Sequence, residues 1–128
     1  MLQSKSKFEN LKIDILRDED LHEIVKEFNF PWTSPKATKT KWKTYSSEQK
    51  ANDRIVCLAR WQGQLIGYGS LLKDSKYPIF KSSGIPEIHD VWISEEYRGH
   101  GLGKQLICHL EIDFFRNCIP CLCPPFPD

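Results

Sequence analysis

Glu87-Ile-His-Asp-Val-Trp-Ile-Ser-Glu-Glu-Tyr-Arg-Gly-His-Gly-Leu-Gly-Lys104 is the stretch whose reading decides the fold. Its first seven residues predict a strand over Glu87–Ile93. A short loop follows, and glycines 99, 101 and 103 open a helix from Leu102 onward. Glycine at such a junction lets backbone N–H groups approach a ligand without interference from a Cβ. A helix N-terminus aims those donors outward, and its dipole favours negative charge. Arg98, at the mouth of the loop, can add charge-assisted hydrogen bonds. The pattern predicts a phosphate-bearing, dianionic ligand at residues 98–104.

Working outward, the helix keeps apolar positions at Leu106, Ile107, Leu110 and Phe114, an amphipathic stripe. Upstream, residues 73–86 form a polar loop containing Pro and Gly. Before it, the apolar runs Arg54–Trp61 and Gln64–Leu72 flank Gln62-Gly63 and predict a β-hairpin. Gly67 and Gly69 share one face of the return strand, either making room for a packed neighbour or marking a bulge. Earlier still, Leu11, Ile13 and Ile15 alternate with polar residues, which predicts a half-buried strand over 10–16. Asp18-Glu-Asp20 then favours a helix start, and Leu21, Ile24, Val25 and Phe28 carry a helix to about Phe28. Pro31 and Pro35 are expected to stop it, with a second helix over 40–51. Lys36, Lys39, Lys41 and Lys43 fit a solvated helix face better than a phosphate patch. The order is strand, helix, helix, strand, strand, strand, helix. It predicts an α/β (α+β) layer on a mainly antiparallel sheet.

Three phosphate-loop patterns compete for residues 98–104. A P-loop needs Gly-Lys followed by Ser or Thr, but Gly103-Lys104 precedes Gln105. A dinucleotide fingerprint needs G-x-G-x-x-G and a second βα unit, and Gly99-His-Gly-Leu-Gly103 is G-x-G-x-G. The third pattern is Arg/Gln-x-x-Gly-x-Gly/Ala, which Arg98, Gly101 and Gly103 match. With its flanking strand and helix and the element order before it, the chain over about residues 10–115 resembles the GNAT superfamily of N-acetyltransferases.

That resemblance implies a mainly antiparallel mixed sheet flanked by helices, with acetyl-CoA as co-substrate and no metal. It implies that backbone groups of Val91, Trp92 and Ile93 pair with the pantetheine arm. The loop of Arg98, Gly99, His100, Gly101, Leu102, Gly103 and Lys104 would hold the pyrophosphate. In one branch of the family a general-base Glu sits six residues before the last strand residue, where Glu87 stands relative to Ile93. The acceptor would be a primary amine, on a small molecule or a peptide, attacking the thioester directly. An ammonium of pKa about 10.4 must first lose a proton, so a base is required. Strict alternation would set Glu87, His89, Val91 and Ile93 on one face and Asp90 on the other, which makes His89 the second candidate base.

The resemblance stops near residue 115. Family members continue with a strand, a helix that often carries a Tyr acid, and a closing hairpin. Here the chain runs into Pro120, Pro124, Pro125 and Pro127, and no Tyr follows Tyr97. The expected organisation is a GNAT-like domain over 1–117, C-terminally truncated, and an irregular Cys/Pro-rich tail over 118–128. Two functions stay open on sequence: an amine N-acetyltransferase, or a catalytically impaired module that binds acetyl-CoA or another protein. An unpaired edge at Glu87–Ile93 would favour strand pairing with a second chain, so a homodimer is expected to be feasible.

Bulk properties narrow the classes. The 128 residues are 40% hydrophobic and 12% aromatic, with eighteen basic against seventeen acidic side chains. A net charge of +1 gives no general pull toward nucleic acid or an anionic membrane. No apolar run approaches the roughly 18 residues a membrane helix needs. Residues 1–10 are polar and lack a signal-peptide core, so a cytoplasmic address is expected. Of the five cysteines, Cys57 and Cys108 lie in apolar segments and read as small buried hydrophobes. Cys118, Cys121 and Cys123 lack a fourth zinc ligand unless Cys108 or His109 supplies it, so no metal is expected.

Overall fold

Gln62 and Gly63 both have positive φ, 53° and 77°, the handedness that matches the twist of the two strands they join. They fold β2 (Arg54–Trp61) onto β3 (Gln64–Leu72) in antiparallel register, from Arg54↔Leu72 to Trp61↔Gln64. In this computed structural model, residues 10–75 and 78–118 are described. β1 (Lys12–Ile15) pairs antiparallel with β2, and β4 (Glu87–Ile93) pairs antiparallel with β3. The sheet order is β1-β2-β3-β4.

Both faces of the hairpin are covered, which is why β2 and β3 read as near-continuous apolar runs. Ile55, Cys57 and Ala59 point one way and pack with Leu102, Leu106 and Leu110 of α4 (Leu102–Cys118). Val56 and Leu58 point the other way, into a cluster with Ile24 of α1 (Leu21–Glu27) and with Trp42 and Tyr45 of α2 (Pro35–Lys50). The α/β layer expected from the element order is therefore present, with the described strands all antiparallel. Among the described residues, no helix is long and apolar enough to cross a membrane.

Four local expectations are corrected. α2 begins at Pro35, five residues earlier than the sequence pattern suggested. Ser34 caps it, accepting a 3.1 Å hydrogen bond from the Ala37 amide. Pro35 at the first helical position loses no intrahelical bond, so the residue expected to stop a helix starts one. Residues 73–86 contain a short helix, α3 (Pro78–Ser83). In and beside β1, Leu11 and Ile13 lean on the α4 side, but Ile15 is 42% exposed and Leu16, just past the strand, is buried in the opposite cluster. Cys108 is exposed, because the buried stripe of α4 runs through residues 102, 106 and 110. Cys57 is buried as expected; burial, with the nearby Asp113 carboxylate, pushes its thiol up to about 12. It is an unreactive packing residue. The tail expectation falls mainly on residues 119–128, which lie outside the described residues.

Candidate active site

β4 is not a regular strand. Ile88 faces Leu71 and Val91 faces Gly69, so His89 and Asp90 together oppose Ser70 alone. Asp90 takes φ 70°, and the extra residue makes a bulge that re-aims side chains. By register, Val91 and Ile93 fall on the α4 face, whereas Glu87 and Trp92 fall on the α2 face. His89 and Asp90 also make their contacts toward α2. The single face expected for Glu87, His89, Val91 and Ile93 is thus corrected: the bulge splits it, and Asp90 lies with Glu87 and His89.

Asp90 is the centre of a polar cluster. Its carboxylate takes a hydrogen bond from Tyr45 at 2.6 Å and bonds from Tyr68 at 3.1 and 3.2 Å. It also pairs with Lys41 at 2.6 Å, and Lys41 bonds the Tyr68 hydroxyl at 3.0 Å. Lys41 therefore leaves the solvated lysine stripe expected from sequence, while Lys36, Lys39 and Lys43 stay exposed. Burial opposes the charge on Asp90, but the Lys41, Tyr45 and Tyr68 hydrogen bonds outweigh it and hold the carboxyl below its ordinary value. Burial, then the adjacent Asp90 charge, pushes the Tyr68 phenol well up, and burial with the Asp90 hydrogen bond does the same for Tyr45. Both remain donors at neutral pH.

Asp90→Asn should lower stability by about 2–4 kcal/mol, because it removes the charge that satisfies the buried Tyr45 and Tyr68 hydroxyls and the partly buried Lys41 ammonium. The sign with pH follows from the lowered carboxyl. Its contribution is complete above the ordinary value of 3.8 and is lost as pH falls through the lower folded value. Urea midpoints of wild type and variant should differ at pH 7 and draw together progressively as pH falls below about 4.

His89 is held by Arg54, a guanidinium that is 3% exposed and also pairs with Glu48 at 2.8 Å. Arg54 Nη1 lies 3.2 Å from His89 Nδ1. A guanidinium only donates, so Nδ1 accepts and the neutral ring carries its proton on Nε2. That tautomer makes His89 a hydrogen-bond donor and argues against the base role expected for it. Glu87 opens β4, and its Oε1 accepts a 2.9 Å hydrogen bond from the buried Ser75 hydroxyl. Six residues of strand separate it from Ile93, at most roughly 20 Å.

At the other end of β4 the chain passes through a 3-10 turn, Glu95–Tyr97, into the loop. Gly99 and Gly101 have φ of 83° and 78°, and Leu102 is buried as the anchor of α4. The Gln105 amide bonds the Gly101 carbonyl at 3.1 Å. The amides of Leu102, Gly103 and Lys104 precede that bond and have no acceptor within the helix. A Cβ at Gly99, Gly101 or Gly103 would meet nothing within 4 Å, so the loop is open. Arg98, His100 and Lys104 are exposed around it, and Arg98 Nε donates to the Ile93 carbonyl at 2.7 Å. That bond ties the arginine to the end of β4.

These groups fit a pyrophosphate with an extended arm. Three orphaned amides and two exposed cations are available to an anion there. The outer edge of β4 has no strand partner among the described residues, leaving the outward-facing backbone groups along Val91–Ile93, except the Ile93 carbonyl that Arg98 already holds, for an amide-bearing chain. The structure makes Val91, Trp92, Ile93 and the loop 98–104 contiguous and leaves Glu87 at the far end of the strand.

The sequence matches the family described as Acetyltransferase (GNAT) over residues 20–122. The chain belongs to the GNAT family. The general reaction of GNAT proteins is acetyl transfer to an amine. PaiA N-acetyltransferase from Thermoplasma acidophilum, solved with coenzyme A, superposes with a TM-score of 0.60 at 19% identity, over 84% of this chain and 73% of that one. Glucosamine-6-phosphate N-acetyltransferase from Arabidopsis thaliana gives 0.55 at 19% identity, over 84% and 75%. AAC(6')-Iy, bound to the bisubstrate analogue CoA-S-monomethyl-acetylneamine, gives 0.66 at 16% identity, over 85% and 75%. At such identities the likeness establishes the GNAT fold. No curated protein matches the sequence. Within the described residues, no group of His, Cys, Asp and Glu is placed to hold a metal.

Proposed function

We propose that this GNAT protein transfers the acetyl group of acetyl-CoA to a primary amine. The observation that carries the proposal is the open loop at 98–104, with its orphaned amides, directly continuous with the edge of β4 that has no strand partner among the described residues. Bound acetyl-CoA would supply a thioester carbonyl activated toward amines. The amides of Leu102, Gly103 and Lys104, with Arg98, hold the pyrophosphate. The backbone of Val91, Trp92 and Ile93 hydrogen-bonds the pantetheine arm and fixes the thioester against the bulge. Glu87 takes the proton of the incoming ammonium through water, since its carboxylate stands at the start of the strand. The amine nitrogen then bonds the carbonyl carbon and gives up a second proton to water, the carbon–sulfur bond breaks, and the thiolate leaves to be protonated by solvent.

Two measurements test this proposal. Acetyl transfer from acetyl-CoA to a panel of primary amines should proceed, and Glu87→Gln should reduce it by about 10²–10⁴, the usual contribution of a general base. Arg98→Ala should weaken acetyl-CoA binding roughly ten- to hundredfold, as expected for losing a charged hydrogen bond. Turnover that survives Glu87→Gln intact would remove Glu87 from the proton path. A chain that binds acetyl-CoA but acetylates no amine would be a binding module.

A further inference from the structure

A continuous run of aromatic rings leads from β4 to solvent. Trp92, on the α2 face of β4, meets Phe28 at 5.2 Å and Phe30 at 4.8 Å, both edge-on. Phe30 in turn stacks on Trp32 at 4.7 Å, with only 9° between the ring planes. Trp32 is 70% exposed. A turn sets it there: the Thr33 amide bonds the Phe30 carbonyl at 3.3 Å, with Pro31 between. Proline suits the second position of such a turn because its φ is already fixed.

Isolated exposed apolar residues are ordinary, and Trp32 alone would carry nothing. Here the exposed indole is the outer end of a stack whose inner end is Trp92, between Val91 and Ile93 of the strand proposed to hold the pantetheine arm. One face of the indole is covered by Phe30, and the ring as a whole is open to solvent. Phe30, Trp32 and Trp92 offer ring faces and edges, with Phe28 buried against Phe30 and Trp92, and the only side-chain donors among these rings are the two indole N–H groups. The nearby Asp90 carboxylate is already matched by Lys41. The shelf is thus uncharged and flat, suited to another ring and poor in partners for a hydroxyl-rich or polycationic acceptor.

We infer that the acceptor is an arylalkylamine, an amine joined by a short chain to an aromatic ring that stacks on Trp32. This inference rests on the acetyl-transfer reading for its chemistry, but the shelf can be tested without turnover. In the kinetic arm, phenethylamine, ethylamine and glucosamine are compared as acceptors. The ratio of kcat/KM for phenethylamine over ethylamine should be large in wild type and fall about tenfold in Trp32→Ala, chiefly through KM. Trp32→Phe should restore most of it. In the binding arm, equilibrium dialysis of phenethylamine against the protein saturated with coenzyme A should show the same Trp32 dependence. A preference for ethylamine or glucosamine, or a ratio unmoved by Trp32→Ala, overturns the aromatic acceptor. If no amine is acetylated, the acetyl-transfer reading fails and dialysis alone decides: Trp32-dependent phenethylamine binding sustains the shelf, and its absence ends it.

Discussion

Gly101→Val is expected to weaken acetyl-CoA binding by at least about a hundredfold while leaving the fold intact. Gly101 has φ 78°, a region that excludes most L-residues and is worst for β-branched ones. A Cβ there would meet no atom within 4 Å, so the substitution acts through the backbone and not through a clash. To escape the strain, residue 101 must rotate, and the next three amides rotate with it. Losing two hydrogen bonds to a charged oxygen removes about 3 kcal/mol or more, which sets the hundredfold figure. Calorimetric titration with acetyl-CoA, beside a urea melt, checks both halves. Equal affinity in wild type and variant would show that the loop does not hold the ligand.

The second large effect lies on β3. Gly67→Val should destabilise the protein by about 2–4 kcal/mol and also weaken acetyl-CoA binding. A Cβ on Gly67 would stand 2.7 Å from Ile93 Cδ1 and 2.8 Å from the Trp92 carbonyl oxygen. The isoleucine tip can swing aside, but the carbonyl belongs to the strand, so β4 must move away from β3. It would move at the residues proposed to carry the pantetheine arm. Gly69 offers the contrast: its nearest neighbour is Leu110 Cδ1 at 3.2 Å, a mobile side-chain end. Gly69→Ala should therefore cost much less in urea midpoint and little in affinity.

Most of the fold is legible in the sequence because its signals are local. The positive-φ Gln62-Gly63 turn, the β3 run and the glycines of the loop each act through neighbouring residues, and the strand limits Arg54–Trp61, Gln64–Leu72 and Glu87–Ile93 agree with those expected. The site is legible where backbone conformation makes it, at residues 98–104. It was hidden where long-range packing makes it. Alternation cannot reveal a bulge, so nothing in Ile88-His-Asp-Val91 announces that Asp90 turns toward Tyr45, 45 positions earlier in the chain. Lys41 and Tyr45 lie one turn apart on α2 and so reach the same partner, but the spacing does not say that the partner is Asp90. Pro35 is ambiguous in the sequence because proline stops a helix in its interior but begins one at its first turn. Phe30-Pro-Trp32 carries no sequence signal of its contacts, and only the stack through Phe30 onto Trp92 relates it to β4.

The central claim is that the loop 98–104 and the edge of β4 together seat acetyl-CoA. Isothermal titration of the 128-residue chain with acetyl-CoA, and separately with acetyl-pantetheine lacking the pyrophosphate, tests it most directly. The account predicts saturable one-to-one binding of acetyl-CoA, at least about tenfold tighter than acetyl-pantetheine. It also predicts that Arg98→Ala erodes this difference. No saturable binding, or equal affinity for the two ligands, would contradict it.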